Sequence, residues 1–341
     1  LTMKKVLKWG AIISVSLIVI VIVALVIISM VVDVNKYKPE IEKLVTDSTQ
    51  RSFSIGDDLD LTLFPWAGVS LSDIRLGNPS GFAEKDFVTA KSFEVRIKLL
   101  PLILSFFKEI EISRFIISEP RIALVKTKKG AVNWEFPAAE TKPDKDSNDT
   151  APAEGSDAPA DKTPPSGLPI SSLVVNDFAI ENGLVVFTDH TAKMQKEVSA
   201  INLTVKDVSM DKPVNLSFSA LVDNQPVSLE GSVGPVGAAL EGGVVSMDLS
   251  LKALEQIALQ IKGNLENALT TPGVDIDIAL DPFSPRELMA ALDQPFPVAT
   301  SDPKALHRVG LNAHVKGNAS KVSITNGILE LDESKLKFKL N

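Results

Sequence analysis

Residues 10–32 restrict the fold of this chain more than any other segment, because they are 23 consecutive uncharged residues rich in Ile, Val and Leu. As a helix rising 1.5 Å per residue, the run would be about 35 Å long, enough to cross the hydrocarbon core of a bilayer. The run is longer than the apolar core of a secretory signal peptide, and no small-x-small cleavage site precedes Asp33. We therefore predict an uncleaved transmembrane anchor.

The charges on either side of this run predict its orientation. Lys4, Lys5 and Lys8 precede it without a nearby acid, whereas charges of both signs, beginning with Asp33 and Lys36, follow it. Because positively charged flanks stay on the cytoplasmic side, we expect a cytoplasmic amino terminus. The chain after residue 34 then lies across the membrane, in the periplasm of a bacterium or in the lumen of an organelle.

After a short amphipathic helix predicted near residues 37–51, the apolar residues repeat with period two. Leu59, Leu61 and Leu63 alternate with polar residues, and the same alternation runs through residues 93–99. This spacing is typical of strands with one apolar and one polar face. The alternation continues through residues 122–136. Residues 35–137 are therefore predicted to form the short helix and a first β region.

Residues 138–167 interrupt this pattern. They hold seven acids, three lysines and five prolines, and they contain no Val, Ile, Leu, Met or aromatic residue. Such a segment buries too little apolar surface to offset the entropy lost on ordering. We predict a disordered, acidic, proline-rich linker; an acidic docking tail is the alternative interpretation.

The β pattern resumes in residues 168–341, which form a second predicted β region. One helix is expected at residues 284–293, because Ser284 and Glu287 match a capping box with a proline at the first helical position. The last strand alternates with lysines and ends without a turn, so we expect the sheet to continue beyond this fragment. The organisation is thus a cytoplasmic tip and anchor (1–34), two β regions and a linker.

Composition and motifs exclude several function classes. With no cysteine, the chain has no disulfide, thiolate metal site or cysteine nucleophile, and a net charge of −8 gives no basic surplus for nucleic acid. The three histidines are not at metal-ligand spacing, and neither a nucleophile elbow nor a phosphate-binding loop motif occurs. Asp275, Asp277 and Asp281 lack the pattern of a calcium loop and are interpreted as a solvated strand face. We expect no enzyme activity, no catalytic residue, no metal and no cofactor.

The alternation leaves two architectures open. In a sandwich, two sheets cover each other's apolar faces, and this arrangement explains the period as well as any other. A single long sheet with few covering helices would instead keep its apolar face available to a ligand. Lipid acyl chains would fit a surface of Leu, Ile, Val and Phe side chains.

Three segments resemble the AsmA family of bacterial envelope proteins. They are Phe64–Phe82 (FPWAGVSLSDIRLGNPSGF), Ile117–Phe136 (ISEPRIALVKTKKGAVNWEF) and Phe283–Ser334. The matching structural positions are Pro65, Trp66, Gly130, Asn133 and Trp134. One departure is the sequence Ser48–Arg51, where family members often have Thr-Gly-Arg, so the turn geometry is expected to differ there.

The resemblance implies a protein of the bacterial inner membrane that crosses it once, with the bulk of the chain in the periplasm. It also implies a mainly β fold, in which a long curved antiparallel sheet forms a taco-like groove with a few short helices, similar to bridge-like lipid transfer proteins. The implied function is phospholipid binding and transport toward the outer membrane, in outer-membrane biogenesis. The alternative is a non-enzymatic assembly factor that binds other envelope proteins and modulates outer-membrane protein insertion. Together with the alternation, the resemblance predicts that the lipid-facing residues include Leu59, Leu61, Leu63, Phe93, Val95, Ile97 and Leu99.

Overall fold

A computed structural model of the protein describes residues 33–340 except 57–58, 64–65, 100–108, 137–171, 209, 293, 300–301 and 303. The predicted anchor at 10–32 and the predicted linker at 138–167 lie outside the described residues. Within the described ranges, the helices are all too short or too polar to cross a bilayer.

The described part of the chain is mainly β, and its strands all join one sheet. The sixteen strands are β1 (Phe53–Ile55), β2 (Asp60–Thr62), β3 (Ala67–Gly77), β4 (Asp86–Ile97), β5 (Glu109–Ser118), β6 (Arg121–Lys126), β7 (Ser172–Asp189), β8 (Met194–Lys206), β9 (Val214–Val222), β10 (Gln225–Gly234), β11 (Val244–Ala253), β12 (Ile257–Glu266), β13 (Gly273–Phe283), β14 (Val309–Asn318), β15 (Val322–Leu331) and β16 (Ser334–Leu340).

The strands follow one another across the sheet in nearly sequential order, β1-β3-β4-β5-β7 and then β8 to β16. β2 also pairs with β3, and β6 also pairs with β4 and β7, so each of these short strands extends the line of β1 or β5. Both predicted β regions thereby belong to a single sheet, because β7 pairs directly with β5 and β6.

The expectation of a purely antiparallel sheet is wrong at this junction, where β7 runs parallel to β5 and β6. Parallel neighbours need a crossover connection of a dozen or more residues, whereas antiparallel neighbours need only a hairpin. The 127–171 connection is long enough to return the chain to the starting end of β5 before β7 begins. The sheet is therefore mixed, with antiparallel pairing everywhere else.

Few helices accompany the sheet in the described ranges. After a 3-10 turn at Val34–Tyr37 come α1 (Lys38–Thr49), α2 (Val236–Leu240) and α3 (Pro285–Ala291). The predicted helices at 37–51 and 284–293 are confirmed by α1 and α3. The hydroxyl of Ser284 accepts a hydrogen bond from the N–H of Glu287, as the capping motif predicts.

α1 ends at Thr49, and the next residue, Gln50, stands where the Thr-Gly-Arg of the resembled family would place glycine. Gln50 adopts the left-handed conformation (φ 56°, ψ 30°), and its N–H donates to the carbonyl of Thr46. Glycine is the usual residue at such a helix end because it lacks a Cβ. Gln50 therefore makes the glycine-type turn at a steric cost.

The predicted continuation of strand alternation through residues 132–136 is wrong. Only Val132 forms a bridge, to Lys126, and the following residues are not in a strand. The reason is Asn133, which is fully buried and hydrogen-bonds with its side chain to the free edge of β6. A side chain thus replaces strand pairing at this edge.

The loop at 131–136 is also held by Arg51, which follows α1. Arg51 is 4% exposed, and its Nη2 donates to the carbonyls of Asn133 and Glu135 at 2.7 and 3.0 Å. Its guanidinium carbon lies 3.9 Å from the ring centroid of Phe136 and 4.6 Å from that of Phe87. Burial lowers the pKa of Arg51. These contacts tie the helix end to the loop by cation–π and hydrogen bonds.

Candidate functional site

An unbroken row of large apolar side chains crosses thirteen strands of the sheet. Each member is the direct cross-strand partner of the next, so all point to one face. At about 4.8 Å between strands, the row is about 60 Å long. We call it the central apolar row, and it consists of Leu71, Phe93, Ile117, Ile180, Leu203, Phe218, Leu229, Leu251, Leu259, Leu280, Leu311, Leu329 and Leu336.

A second row runs beside it on the same face, two residues along each strand. In the first half of the sheet it consists of Leu61, Val69, Val95, Phe115, Phe178, Val205 and Leu216. The ring of Phe115 lies edge-on to Phe93, with centroids 4.6 Å apart, and stacks on Phe178 at 5.4 Å. Side chains of adjacent rows and strands therefore contact one another and form a continuous apolar surface.

Glycine occurs in the second row at Gly231, and in the next row at Gly263, where the sheet backbones approach closely. A Cβ on Gly231 would overlap the carbonyl oxygen of Asp248, and a Cβ on Gly263 would overlap that of Asp275. Both glycines have φ near +147°, which L-residues with a side chain rarely adopt. Glycine kinks of this kind are a means by which long sheets bend.

The apolar surface keeps one orientation although the apolar alternation changes phase along several strands. In β7 the row members Phe178 and Ile180 are even-numbered, whereas Gly183, Val185 and Phe187 are odd-numbered. A Cβ on Gly183 would lie 3.4 Å from Cγ2 of Ile180, so residues of both phases share a face. Residues with positive φ mark this change on four strand lines: Asp73, Glu119, Asn182 and Ala200. The backbone conformation thus compensates the shift in sequence pattern.

The apolar face is largely uncovered within the described ranges. All sixteen described strands belong to one sheet, so no second described sheet covers the apolar face. Of the described helices, α1 packs against β1, and α2 packs against β10 and β11. Every member of the central apolar row stays partly exposed, and Leu336 is 56% exposed. Because this continuous apolar surface stays partly exposed along about 60 Å, it is a candidate binding site.

The opposite face is polar and carries ion pairs. The Nζ of Lys262 lies 2.7 Å from Asp248, and the Nζ of Lys316 lies 2.6 Å from Asp275. The hydrogen bond from Lys316, with its charge, holds the pKa of Asp275 below its ordinary value. The interpretation of Asp275 and Asp277 as a solvated strand face agrees with this placement, and the described residues contain no cluster suited to a metal ion.

The structure brings most of the predicted lipid-facing residues together on the apolar face. Phe93 belongs to the central apolar row, and Leu61 and Val95 belong to the second row. Ile97 lies two residues beyond Val95 in β4 and pairs with Ala67 and Ile112 on the neighbouring strands. Their assignment to lipid stays a prediction.

The remaining predicted residues lie at the margins of this surface. Leu59 is only 5% exposed, and its N–H donates to Oδ1 of Asn35, so it is the least accessible of the set. Leu63 follows the end of β2 and is partly exposed, and Leu99 lies beyond the end of β4 at Ile97.

Sequence reasoning missed the second half of the apolar face, from β8 to β16. The alternation in those strands is equally regular, so it could have identified Phe218, Leu229 and Leu251 by the same rule. A repeated Lys-Gly-Asn at 262–264 and 316–318 is a further signal, because both glycines lie where a Cβ would overlap a neighbouring backbone carbonyl.

Taken together, these features define a long single-sheet β protein with one polar face and one continuous, accessible apolar face. The sequence profile of the AsmA family matches residues 3–277, and the chain belongs to this family. Membership connects it with the cell envelope and with lipid transport. No curated protein and no solved structure gives a significant match to the chain.

Proposed function

We propose that this protein is anchored in the bacterial inner membrane by residues 10–32, and that its periplasmic sheet binds phospholipid and helps to carry it toward the outer membrane. In this proposal the acyl chains lie on the apolar face. The protein acts without catalysis or cofactor, as a surface along which lipid moves during outer-membrane biogenesis.

The observation that carries this proposal is the central apolar row, which is uninterrupted by a charge over about 60 Å and remains partly exposed. Covering apolar surface is favourable by about 25 cal/mol per Å². Acyl chains are long, flexible and apolar, so they can cover such a row at any point along it. A row of nearly equivalent leucine and phenylalanine positions favours movement, because no single position holds the chain much more strongly than the next.

Site-specific photocrosslinking in cells tests the proposal at neighbouring positions of one strand. A photoreactive amino acid replaces Phe218 of the central apolar row in one variant and Ser217 in the matched control. The two residues are adjacent in β9 but point to opposite faces. We expect phospholipid adducts at Phe218 and not at Ser217, with the same alternation at Leu203 and Thr204 of β8.

Three outcomes distinguish the candidate functions. Lipid adducts that follow the period of two support lipid binding on the apolar face. Protein adducts at Phe218 without lipid would favour the assembly-factor alternative. If the variants accumulate normally in cells but give no adducts at Phe218 and Leu203, the apolar face binds neither lipid nor protein, and both candidate functions are contradicted.

A further inference from the structure

The contacts around α1 show at which end of the strands the preceding chain leaves the sheet. Glu42 Oε1 accepts from the N–H of Ile55 at 2.8 Å, and Asn35 Oδ1 accepts from the N–H of Leu59 at 2.6 Å. Going backward from residue 42 to residue 35, the chain therefore moves forward along residues 55–59. It heads toward the end of β2, so the described structure begins, at residue 33, on the side of the sheet where β2 ends and β3 begins.

Two exposed aromatic side chains lie at this end. Trp66 directly precedes β3 and is 46% exposed, although tryptophan is usually well buried. Tyr37, the single tyrosine of the chain, is 58% exposed and stands between the predicted anchor and α1. The guanidinium carbon of Arg96 lies 4.6 Å from the Trp66 ring centroid. We call Tyr37, Trp66 and Arg96 the anchor corner.

The composition of the anchor corner matches the boundary between lipid and water. Tryptophan and tyrosine concentrate there because each has an apolar ring and a polar group. Arg96 is ion-paired with Glu94 and lies under the Trp66 ring, so its role is to hold that ring in place. Tyr37 follows Val32, the last residue of the apolar run, by five residues. At the ~2 Å rise of a 3-10 helix, it stays within about 10 Å of the end of that run.

We propose that the anchor corner lies in the headgroup region of the bilayer that holds residues 10–32, with the Trp66 ring inserted at the interface. The proposal rests on the membrane anchor of the proposed function. It adds the partner surface, a phospholipid bilayer, and the part of the sheet that contacts it.

The three tryptophans of the chain, Trp9, Trp66 and Trp134, allow a direct test with the full-length protein. One variant carries Trp9→Phe and Trp134→Phe, so that Trp66 alone fluoresces. The matched control carries Trp9→Phe and Trp66→Phe, leaving Trp134, which is similarly exposed at 37% but follows the hairpin beyond β6. Both are reconstituted in phosphatidylcholine vesicles in which part of the lipid is brominated on its acyl chain, and far-UV circular dichroism checks their folding.

We expect the brominated lipid to quench Trp66 more strongly than Trp134, because only lipid bound on the sheet away from the bilayer would reach Trp134. Bromine near the carbonyl end of the acyl chain should quench Trp66 more strongly than bromine near the methyl end, because the ring sits at the interface. Absence of Trp66 quenching, or equal quenching of both tryptophans, would overturn the proposal.

Other outcomes separate this inference from the proposed function. The ring of Trp134 lies 6.0 Å from that of Phe187, which pairs with Leu124 of β6. Quenching of Trp134 alone would indicate lipid bound at this part of the sheet and would overturn the anchor corner. Failure of the protein to float with vesicles would overturn both. As the chain has no cysteine, Tyr37→Cys with a nitroxide label gives a second depth measurement, and a label accessible only to aqueous relaxants would contradict the proposal.

Discussion

Replacing Asn133 by alanine should open the free edge of β6. Its side chain is fully buried, and three hydrogen bonds of 2.7 Å surround it. Oδ1 accepts from the N–H of Val125, and Nδ2 donates to the carbonyl of Ala123 and to Oδ1 of Asn78. In this way a side chain completes the edge of β6 that β4 does not cover.

The size of the effect follows from these three contacts. Asn133→Ala leaves one buried N–H and two acceptors without their partner. At about 1–1.5 kcal/mol for each lost bond, the β6 edge loses about 3–4 kcal/mol of stability against opening. Because 1.4 kcal/mol is a factor of ten, this corresponds to an about 100- to 1000-fold fall in protection from hydrogen exchange.

Hydrogen exchange followed by mass spectrometry measures this locally, which suits a long sheet that need not unfold in a single step. The expected loss appears in peptides that contain β6. The control is Asn264→Ala, which removes an exposed asparagine of β12 without a buried partner and should leave β6 unchanged. A loss of less than tenfold in Asn133→Ala would refute the reasoning.

Gly231→Ala should lower the local stability of the sheet by about 2 kcal/mol or more, because its Cβ overlaps a neighbouring carbonyl. Gly273→Ala, with 3.6 Å to the nearest atom, should lower it by less than about 0.5 kcal/mol, and hydrogen exchange of the peptides that contain each glycine measures both changes. Gln50→Gly should raise the thermal midpoint, with a gain of up to about 1 kcal/mol from relief of its left-handed conformation; a lower midpoint would contradict this. Hydrogen bonds, first from the N–H of Ala192, hold the pKa of Asp189 below its ordinary value, so its ionised form stabilises the fold above about pH 4 and the contribution is lost as pH falls further. Asp189→Asn should therefore reduce the fall of the thermal midpoint with pH below about pH 4. An unchanged fall in the variant would contradict a stabilising role for the ionised Asp189.

Period-two alternation predicted the strand content and the two faces correctly because side-chain direction in a strand depends only on neighbouring residues. This alternation predicts a common face for Leu61, Phe93 and Val95, and the structure places them there. The same rule failed at residues 132–136, where Asn133 satisfies the backbone of β6 by tertiary contacts. Leu99 also continues the alternation, but β4 ends two residues before it.

The helices at 38–49 and 285–291 were predictable for a similar local reason, since proline, capping residues and apolar spacing act within a few residues of one another. The left-handed turn at Gln50 was not, because glutamine does not itself favour that conformation.

The sequence by itself determined that this chain builds strands with one apolar face, and that it carries an apolar run of membrane-spanning length. Tertiary structure decided that these strands form one sheet and not a sandwich. It also decided that the sheet passes through a parallel junction at β7 and that thirteen apolar residues align in register. Alternation predicts which side chains of a strand share a face, but it does not predict which strands pair. Pairing and register depend on hydrogen bonds between residues far apart in the chain. The continuous apolar surface is therefore a property of the assembled sheet.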